Sequence, residues 1–482
     1  MNARLILRVT GKILILEGFL LWLPLIVNLI YRESFFWSFM GPSLGLLAAG
    51  GLLQLVRVRS HNLYAKEGLF ITALAWLLMS LFGCLPFMLS GEIPVFWDAF
   101  FEMVSGFTTT GATVVSDVEA MSHGMLFWRS FSHWIGGMGI LVFVLAVLPQ
   151  TGGGTYINLM RAESPGPQVG KLVSKVRFTA RILYGIYIVM TLIQIVFLLC
   201  GRMPLFDSLI TAFGTAGTGG FSCLNNSIAG YDSLYIEIVV TVFMLLFGVN
   251  FNFFYLLLIG HFGEAFRCEE VRWYFIIVLF SMVVIALNTL GIYGDFWTAL
   301  RYSSFQVASI ITTTGFASWD FALWPTFSKT VLIVLMVIGA CAGSTGGGIK
   351  VCRLVIAGKT MNRELKLLSR PRSVVGIKFE GKTLDPAVLR GVQTFLAVYM
   401  GILFASFLVV SLDGLSLEAT FSAVVTTLGN VGPGLAEVGP MSNFSAFSPL
   451  SKLVMSFNML AGRLELFPIL LLFAPSTYIK RA

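Results

Sequence analysis

The stretch Thr108-Thr109-Thr110-Gly111 decides the fold of this chain because similar stretches end on a glycine at three later points. They are Gly217-Thr218-Gly219-Gly220, Thr312-Thr313-Thr314-Gly315 and Gly429-Asn430-Val431-Gly432. The closing glycines lie 109, 95 and 117 residues apart, and each stretch follows a half-length apolar segment that itself comes after a longer one. In a chain this apolar, so long a period indicates four copies of one membrane module rather than a soluble solenoid.

The composition is that of an integral membrane protein. Of the 482 residues, 57% are hydrophobic and 12% are charged, about half the charged fraction of an ordinary soluble domain. Runs of about 20 mostly apolar residues, the length that crosses ~30 Å of hydrocarbon, recur along the chain. We predict an all-α polytopic membrane protein with ten transmembrane helices. The predicted spans are approximately 10–31, 36–56, 68–90, 126–149, 179–201, 234–260, 272–291, 328–357, 392–412 and 451–476.

The placement of Lys and Arg predicts the orientation, because cytoplasmic segments are enriched in these residues. With the N-terminus inside, 24 basic residues fall on the cytoplasmic side and six outside, leaving out Arg390 and Arg463. Both termini are then cytoplasmic, as an even number of spans requires. The most basic segment, 350–382, holds nine of these residues, and anionic lipid headgroups would attract it. The net charge of +8 follows from this bias, so it does not indicate nucleic-acid binding.

Each predicted module consists of a span, a half-length segment, a polar loop and a second span. Two leading spans occupy 1–66, and the four repeats occupy 67–160, 161–268, 269–375 and 376–482. Segments of ten to thirteen residues cannot cross a bilayer, so they should be re-entrant. Residues that can cap a helix N-terminus stand near the start of each segment: Asp98, Asp207, Asp295, and Ser416 or Glu418.

The half-length segments have an electrostatic consequence. A helix that enters from outside and stops in mid-membrane points its negative dipole end at the loop that follows. Four such ends around one point favour a cation, and the polar loops can offer it backbone carbonyls. One such loop alone is a weak signal, because small residues also serve helix packing. Four copies in the same context predict an ion-conducting pore with four-fold-like symmetry.

Two further features lie away from the four loops. The eighth span is interrupted by Gly339-Ala340-Cys341-Ala342-Gly343-Ser344-Thr345-Gly346-Gly347-Gly348, a glycine density that breaks a helix. A phosphate-binding loop would need a Lys directly after the last glycine and then Ser or Thr, so we favour a flexible segment that can obstruct the pore. Arg463 lies within the tenth span, where a charge must face the interior or a cavity. It either pairs with Glu465 or lines the ion path, and we favour the second.

The remaining polar residues indicate no other chemistry. The six cysteines have no C-x-x-C spacing and the four histidines have no metal-ligand spacing, which disfavours a metal site. No nucleophile–base or paired-carboxylate pattern falls inside the spans, which disfavours a membrane-embedded enzyme. Of the acids within the membrane, Glu102 is expected to brace the first loop, and Glu17 is expected to be structural.

These residues resemble a known family. The four span–loop–span repeats, the first loop Ser105-Gly106-Phe107-Thr108-Thr109-Thr110-Gly111-Ala112-Thr113, the stretch 342–348 and the closing Gly462-Arg463-Leu464-Glu465 are similar to the Trk/Ktr/HKT superfamily of potassium transporters. The two leading spans resemble those of the TrkH or TrkG type of membrane subunit. The resemblance covers essentially the whole chain.

The resemblance implies potassium uptake across a bacterial inner membrane, with K⁺ as the transported ion and no organic cofactor. It implies a homodimer that docks a cytosolic, TrkA-like nucleotide-binding regulatory subunit. It also implies an intramembrane gate formed by Gly343, Ser344, Thr345, Gly346, Gly347, Gly348 and the nearby Arg463. The implied selectivity filter consists of Thr109, Thr110, Gly111, Thr218, Gly219, Gly220, Thr313, Thr314, Gly315, Asn430, Val431 and Gly432.

In that superfamily, glycine at the first filter position goes with K⁺ preference and serine with Na⁺ preference. All four copies here have glycine, which favours K⁺. The fourth copy departs from the others because it has no threonine beside its glycine, and we expect the filter to be weakest there. The alternative on the same scaffold is a Na⁺-permeant or cation-coupled K⁺ symporter.

Overall fold

The computed structural model describes residues 2–58, 65–139, 176–373 and 375–475, and these are mostly helical. A short antiparallel hairpin, β1 (Lys378–Phe379) with β2 (Lys382–Thr383), precedes the ninth predicted span. The helices in chain order are α1 Ala3–Leu20, α2 Trp22–Ile30, α3 Phe36–Gln54, α4 Ala65–Gly83, α5 Leu85–Ser90, α6 Phe96–Phe107, α7 His123–Gly137, α8 Val176–Cys200, α9 Leu205–Gly217, α10 Leu234–Phe247, α11 Phe251–Leu258, α12 Phe262–Arg267, α13 Glu269–Tyr293, α14 Phe296–Ile311, α15 Thr326–Ile338, α16 Val351–Ser369, α17 Pro386–Val410, α18 Leu417–Gly429, α19 Pro449–Arg463 and α20 Phe467–Phe473.

Within the described residues, six helical stretches are long and apolar enough to cross a membrane, and a bent pair makes a seventh. The six correspond to predicted spans one, two, three, five, seven and nine. They are Ala3–Ile30, Phe36–Gln54, Lys66–Ser90, Arg181–Cys200, Glu269–Tyr293 and Pro386–Asp413. The chain is therefore a multi-pass, helical membrane protein, as its composition predicts.

The other predicted spans are the second spans of the repeats, and of these the sixth, eighth and tenth spans are broken within the residues that the structure describes. Helices α10 and α11 meet at an angle of 92°, where Asn250 caps α11 by accepting from the Asn252 N–H. Helices α15 and α16 are separated by the glycine-rich loop, as predicted. Helices α19 and α20 are separated by Leu464, Glu465 and Leu466, and the last two have positive φ. Helix α7 ends at Gly137, and 140–149 lie outside the described residues.

Four short helices, α6, α9, α14 and α18, correspond to the predicted half-length segments. They contain 12, 13, 16 and 13 residues, and at ~1.5 Å per residue none crosses ~30 Å of hydrocarbon. Asp295 and Ser416 cap α14 and α18 as predicted, accepting from the N–H of the residue three positions on.

The predicted caps at Asp98 and Asp207 are wrong. Helices α6 and α9 begin earlier, after Val95 and Pro204, so both aspartates lie in the first turn and their side chains contact other elements. Asp98 pairs with Lys452 at 2.6 Å, and Asp207 accepts from the Tyr231 hydroxyl at 3.0 Å. An acid in the first turn still stabilises the helix through the dipole.

The short helices are enclosed by the second-span helices. Helix α6 packs against α7 and α19, α9 packs against α7, and α18 packs against α19. Large buried side chains such as Phe101, Phe107, Trp128 and Phe221 fill the space between them. The four loops that follow the short helices are therefore held at the centre of the molecule.

Candidate functional site

The four short helices end in the same way. The residue two positions before each closing glycine has left-handed backbone, with φ of 55° at Thr109, 56° at Thr218, 58° at Thr313 and 56° at Asn430. The next residue in each loop donates its N–H to the carbonyl five residues back, at 2.9, 2.8, 2.8 and 2.9 Å. This is the bonding of a Schellman C-cap, in which glycine usually takes the left-handed position.

Threonine is a costly residue at that position. A β-branched side chain with φ near +57° is an outlier, and such strain persists only where the surroundings enforce it. Three loops have threonine at this position in spite of its conformational cost. The fourth has asparagine, which tolerates left-handed backbone better. The repeated strain indicates that the site requires this particular loop shape.

The closing glycines join the four loops into a ring. A Cβ added to Gly111 would collide with the Gly219 carbonyl oxygen, and one on Gly220 would collide with that of Thr314. One on Gly315 would collide with the Val431 carbonyl oxygen. The ring closes where a Cβ on Gly432 would lie 2.6 Å from the Thr110 carbonyl oxygen. Each glycine thus touches the carbonyl before the glycine of the next loop, and no side chain fits between neighbouring loops.

Hydrogen bonds from threonine hydroxyls and from one asparagine amide stabilise the ring of loops. Thr108 and Thr110 share a hydrogen bond of 2.8 Å between their hydroxyls, and Thr312 and Thr314 share an identical one. In the fourth loop, Asn430 Nδ2 donates to the Thr110 hydroxyl at 3.0 Å and to the Met459 carbonyl at 2.8 Å. The Asn430 amide therefore links the fourth loop to the first. The expectation of a weak fourth loop considered only the missing threonine beside Gly432, so it did not include this contact.

The outer connections tie neighbouring modules together. The Phe444 N–H donates to the Thr113 carbonyl at 2.8 Å, and the Ala229 N–H donates to the Ala317 carbonyl at 3.1 Å. Asn225 Nδ2 donates to the Asp117 carboxylate at 2.9 Å, and this hydrogen bond lowers the pKa of Asp117. An ionised carboxylate therefore stands on the loop beyond the first glycine, where it would attract cations.

A buried ion pair braces the first loop. Glu102 accepts from the Val114 N–H at 2.9 Å and from the Thr113 hydroxyl at 2.9 Å, which confirms its predicted contact with that loop. Arg129 on α7 pairs with Glu102 at 2.8 Å, and the two side chains are 2% and 0% exposed. The Arg129 guanidinium also lies 4.0 Å from the centre of the Phe221 ring. Sequence reasoning missed this pair because it placed Arg129 at the outer end of a span.

Removing one partner of this pair should destabilise the protein strongly. Arg129→Met would leave the Glu102 carboxylate buried without its charged partner, a change that costs about 3–5 kcal/mol. Lys329→Met, which breaks the more exposed pair with Glu418, should cost about 0–1 kcal/mol. Thermal unfolding in detergent compares the two variants. Equal midpoints for both would contradict a bracing role for Arg129.

The glycine-rich loop lies directly against the third polar loop. The Gly347 N–H donates to the Thr313 hydroxyl at 2.6 Å, and a Cβ on Gly346 would lie 2.9 Å from the Thr312 carbonyl oxygen. The loop also docks on the break between α10 and α11, where the Phe251 N–H donates to the Gly343 carbonyl at 3.0 Å. Thr345 donates to the Phe247 carbonyl at 3.2 Å. The residues 343–348, predicted to form the gate, thus lie between the third polar loop and the break between α10 and α11.

Arg463 joins the glycine-rich loop to two modules. Its Nη1 donates to the Thr345 carbonyl at 2.5 Å, and its Nη2 donates to the carbonyls of Gly136 and Gly137 at 2.6 and 2.7 Å. The ion pairs of the described residues do not include one between Arg463 and Glu465, the alternative weighed from the sequence. Glu465 instead pairs with Arg353 at 2.5 Å, a partner 112 residues away that no local spacing could reveal.

The other polar residues singled out in the sequence lie away from the four loops or pack beside them. Glu17 is fully buried and accepts no hydrogen bond from the described part of the chain. His133 is buried against the second loop and contacts the Gly106 carbonyl at 2.7 Å. All six cysteines are free. The residues that the structure describes contain no cluster of His, Cys, Asp or Glu that could hold a metal ion.

The chain is similar to known transport proteins over most of its length. The model of the TrkH family, described as a cation transport protein, matches residues 39–481. The Trk system potassium uptake protein TrkH of Salmonella typhimurium is 38% identical over 484 residues, 99% of each chain. TrkG of Escherichia coli K12 is 33% identical over 95% of this chain and 96% of its own. The crystal structure of the potassium transporter TrkH from Vibrio parahaemolyticus superposes with a TM-score of 0.88 at 33% identity, covering 99% of this chain and 100% of that one.

Proposed function

The chain belongs to the TrkH family of cation transport proteins, a transporter family rather than one of enzymes, and on that premise we propose that it takes up K⁺ through the ring of four loops. The observation that carries the proposal is the closed series of contacts between each closing glycine and the carbonyl of the next loop. Backbone carbonyls gathered around one axis can replace the hydration shell of a cation. The dipole ends of α6, α9, α14 and α18 favour positive charge at the same place.

On this proposal, the architecture is ten spans, with two leading helices and four repeats around a central pore. The domain limits are those predicted from the sequence: 1–66, 67–160, 161–268, 269–375 and 376–482. The four equivalent left-handed residues and the four equivalent Schellman bonds support the equivalence of the repeats.

Selectivity for K⁺ is supported by the relatives and by the glycines. The curated relatives are named potassium uptake proteins, and every closing position here is glycine. The filter residues are Thr109, Thr110, Gly111, Thr218, Gly219, Gly220, Thr313, Thr314, Gly315, Asn430, Val431 and Gly432. The alternative is a Na⁺-permeant or cation-coupled symporter on the same scaffold. Growth that depends on added Na⁺ distinguishes it from K⁺ uptake alone.

Flow through the pore is controlled by the loop 343–348 together with Arg463. The loop lies against the third filter loop, and the guanidinium bonded to Thr345 places a positive charge next to it. A fixed positive charge repels a passing cation most strongly where little water screens it. Movement of this loop would therefore change the flux.

The proposed setting is a bacterial inner membrane with both termini cytoplasmic. The partners are a second copy of the chain and a cytosolic, TrkA-like nucleotide-binding subunit, in keeping with the multi-component Trk system for which the relatives are named. The basic segment 350–382 would face the cytoplasm, where anionic lipid headgroups add attraction. No part of the proposal involves nucleic acid.

Growth on limiting K⁺ tests the proposal. A bacterial host without its own K⁺ uptake systems should grow at low K⁺ when it expresses this chain, and ⁸⁶Rb⁺ should enter the cells faster than in the vector control. Gly111→Ser, at a closing glycine, should abolish the growth, whereas Gly401→Ser should not, because a Cβ at Gly401 meets nothing within 4 Å. Growth that requires added Na⁺ would favour the symporter.

A further inference from the structure

Glu270 accepts hydrogen bonds from residues on both sides of the segment 343–348, the glycine-rich part predicted to form the gate. Its Oε1 accepts from the Ala342 N–H at 2.6 Å and from the Cys352 N–H at 3.1 Å. Ala342 stands just before Gly343, and Cys352 stands in the first turn of α16 after the loop. Glu270 is buried, with 4% of its surface exposed. Its carboxylate therefore fixes the distance between Ala342 and Cys352, the residues that flank the loop.

The ordinary role of an acid at this position does not account for these contacts. Glu270 is in the first turn of α13, where an acidic side chain favours the helix dipole. Glu269 occupies the same turn and can serve that purpose. The Glu270 carboxylate instead accepts from two N–H groups 72 and 82 residues away, and these groups would be unpaired and buried without it.

The same helix turn is bonded to the cytoplasmic hairpin. Glu380, in the turn between β1 and β2, has Oε1 3.1 Å from the Glu270 N–H and 3.2 Å from the Cys268 thiol, and it accepts from both. Lys359 on α16 pairs with Glu269 at 2.5 Å and donates to the Lys378 carbonyl at 2.7 Å. The hairpin, the start of α13 and the body of α16 thus form one connected unit.

A small apolar core stiffens this unit. It consists of Ile356, Ile377, Leu384, Leu389 and Val392. These residues come from α16, from the two sides of the hairpin and from the start of α17. A displacement of the hairpin would therefore reach α16 and α17 through packed side chains, and it would reach α13 through Glu380 and the Lys359–Glu269 pair.

We propose that Glu270 is a positioning residue for the intramembrane loop and that Glu380 couples it to the cytoplasmic hairpin. The inference rests on the proposed function, because it concerns control of the flux through the pore. Displacement of the hairpin moves the first turn of α13 and takes the Glu270 carboxylate away from Ala342 and Cys352. Both ends of the loop are then free to shift away from the third filter loop.

The experiment measures K⁺ flux and the K⁺/Na⁺ permeability ratio of the purified full-length chain in proteoliposomes. Glu270→Ala should raise basal K⁺ flux about tenfold or more, because the buried N–H groups of Ala342 and Cys352 lose their acceptor. Glu270→Gln should restore near wild-type flux, since its amide oxygen can accept from both N–H groups. The matched control is Glu264→Ala, an exposed acid on α12, which should behave as wild type. The permeability ratio should stay the same in every variant, because the filter is untouched, whereas general damage would lower it.

A double-variant cycle tests the coupling to the hairpin. Glu380 is exposed, so Glu380→Ala should fold and should raise the flux in the wild-type background but add nothing to Glu270→Ala. Wild-type flux in Glu270→Ala, failure of Glu270→Gln to restore it, or additive effects of the two alanine variants would each overturn the inference. A wild-type chain that moves no K⁺ would instead reject the proposed function itself.

Discussion

Gly220→Ser is expected to collapse the discrimination between K⁺ and Na⁺. Gly220 has φ of 75°, a conformation that costs a residue with a side chain about 1–2 kcal/mol. Its new Cβ would also collide with the Thr314 carbonyl oxygen of the next loop. That carbonyl is one of the groups proposed to coordinate the ion, so it must turn or move outward.

The expected size of this effect follows from the energy scale of selectivity. A loss of ~1.4 kcal/mol in the preference for K⁺ reduces the permeability ratio tenfold. We expect the displacement of one coordinating carbonyl to reduce the ratio by about that factor or more. Reversal potentials under K⁺/Na⁺ gradients give the ratio. Gly401→Ser, which adds the same side chain without a clash, is the control. A wild-type ratio in Gly220→Ser would exclude the second loop from the filter.

Arg463→Ala is expected to produce the largest rise in basal flux. The substitution removes three hydrogen bonds from a charged group to the carbonyls of Thr345, Gly136 and Gly137, and each such bond contributes about 1.5–3 kcal/mol. It also removes a positive charge beside the proposed ion path. We expect basal K⁺ flux to increase by about tenfold or more in the absence of a cytosolic partner.

Two controls separate this role from a loss of charge alone. Arg463→Lys keeps the charge but cannot reproduce the planar guanidinium that reaches three carbonyls, so its flux should lie between wild type and Arg463→Ala. Arg390→Ala removes an exposed cation at the start of α17 and should leave the flux unchanged. Equal flux in Arg463→Ala and wild type would dismiss the gate assignment.

Features encoded within a few residues of sequence could be predicted. The four loops were found from their closing glycines, and the break between α15 and α16 was found from the glycine density of 339–348. The caps at Asp295 and Ser416 are confirmed, because side-chain capping depends on residues three positions apart. The same local pattern is wrong at Asp98 and Asp207, because their helices begin earlier, after Val95 and Pro204. The polar loops and the break therefore needed only local chemistry.

Features that depend on tertiary contact could not be predicted. The predicted tenth span runs through Glu465 and Leu466 without a break, yet both have positive φ, and the Leu466 N–H donates to the Ala461 carbonyl at 2.8 Å. This break does have a local signal, because Pro468 lies in the first turn of α20 and proline favours a helix start. The left-handed backbone of Thr109, Thr218 and Thr313 could not be predicted either, because the surrounding packing enforces a conformation that threonine disfavours. The pairs Arg129–Glu102 and Arg353–Glu465 join residues 27 and 112 positions apart, beyond any periodic pattern.

The reversal potential of the wild-type chain, with K⁺ on one side of a bilayer and Na⁺ on the other, tests the central claim most directly. If the four loops form a K⁺-selective filter, the current should reverse at a potential far from zero, with the sign that a higher permeability to K⁺ requires. Gly220→Ser should move this reversal potential toward zero. A wild-type reversal at zero, which means equal permeability to the two ions, would contradict the account.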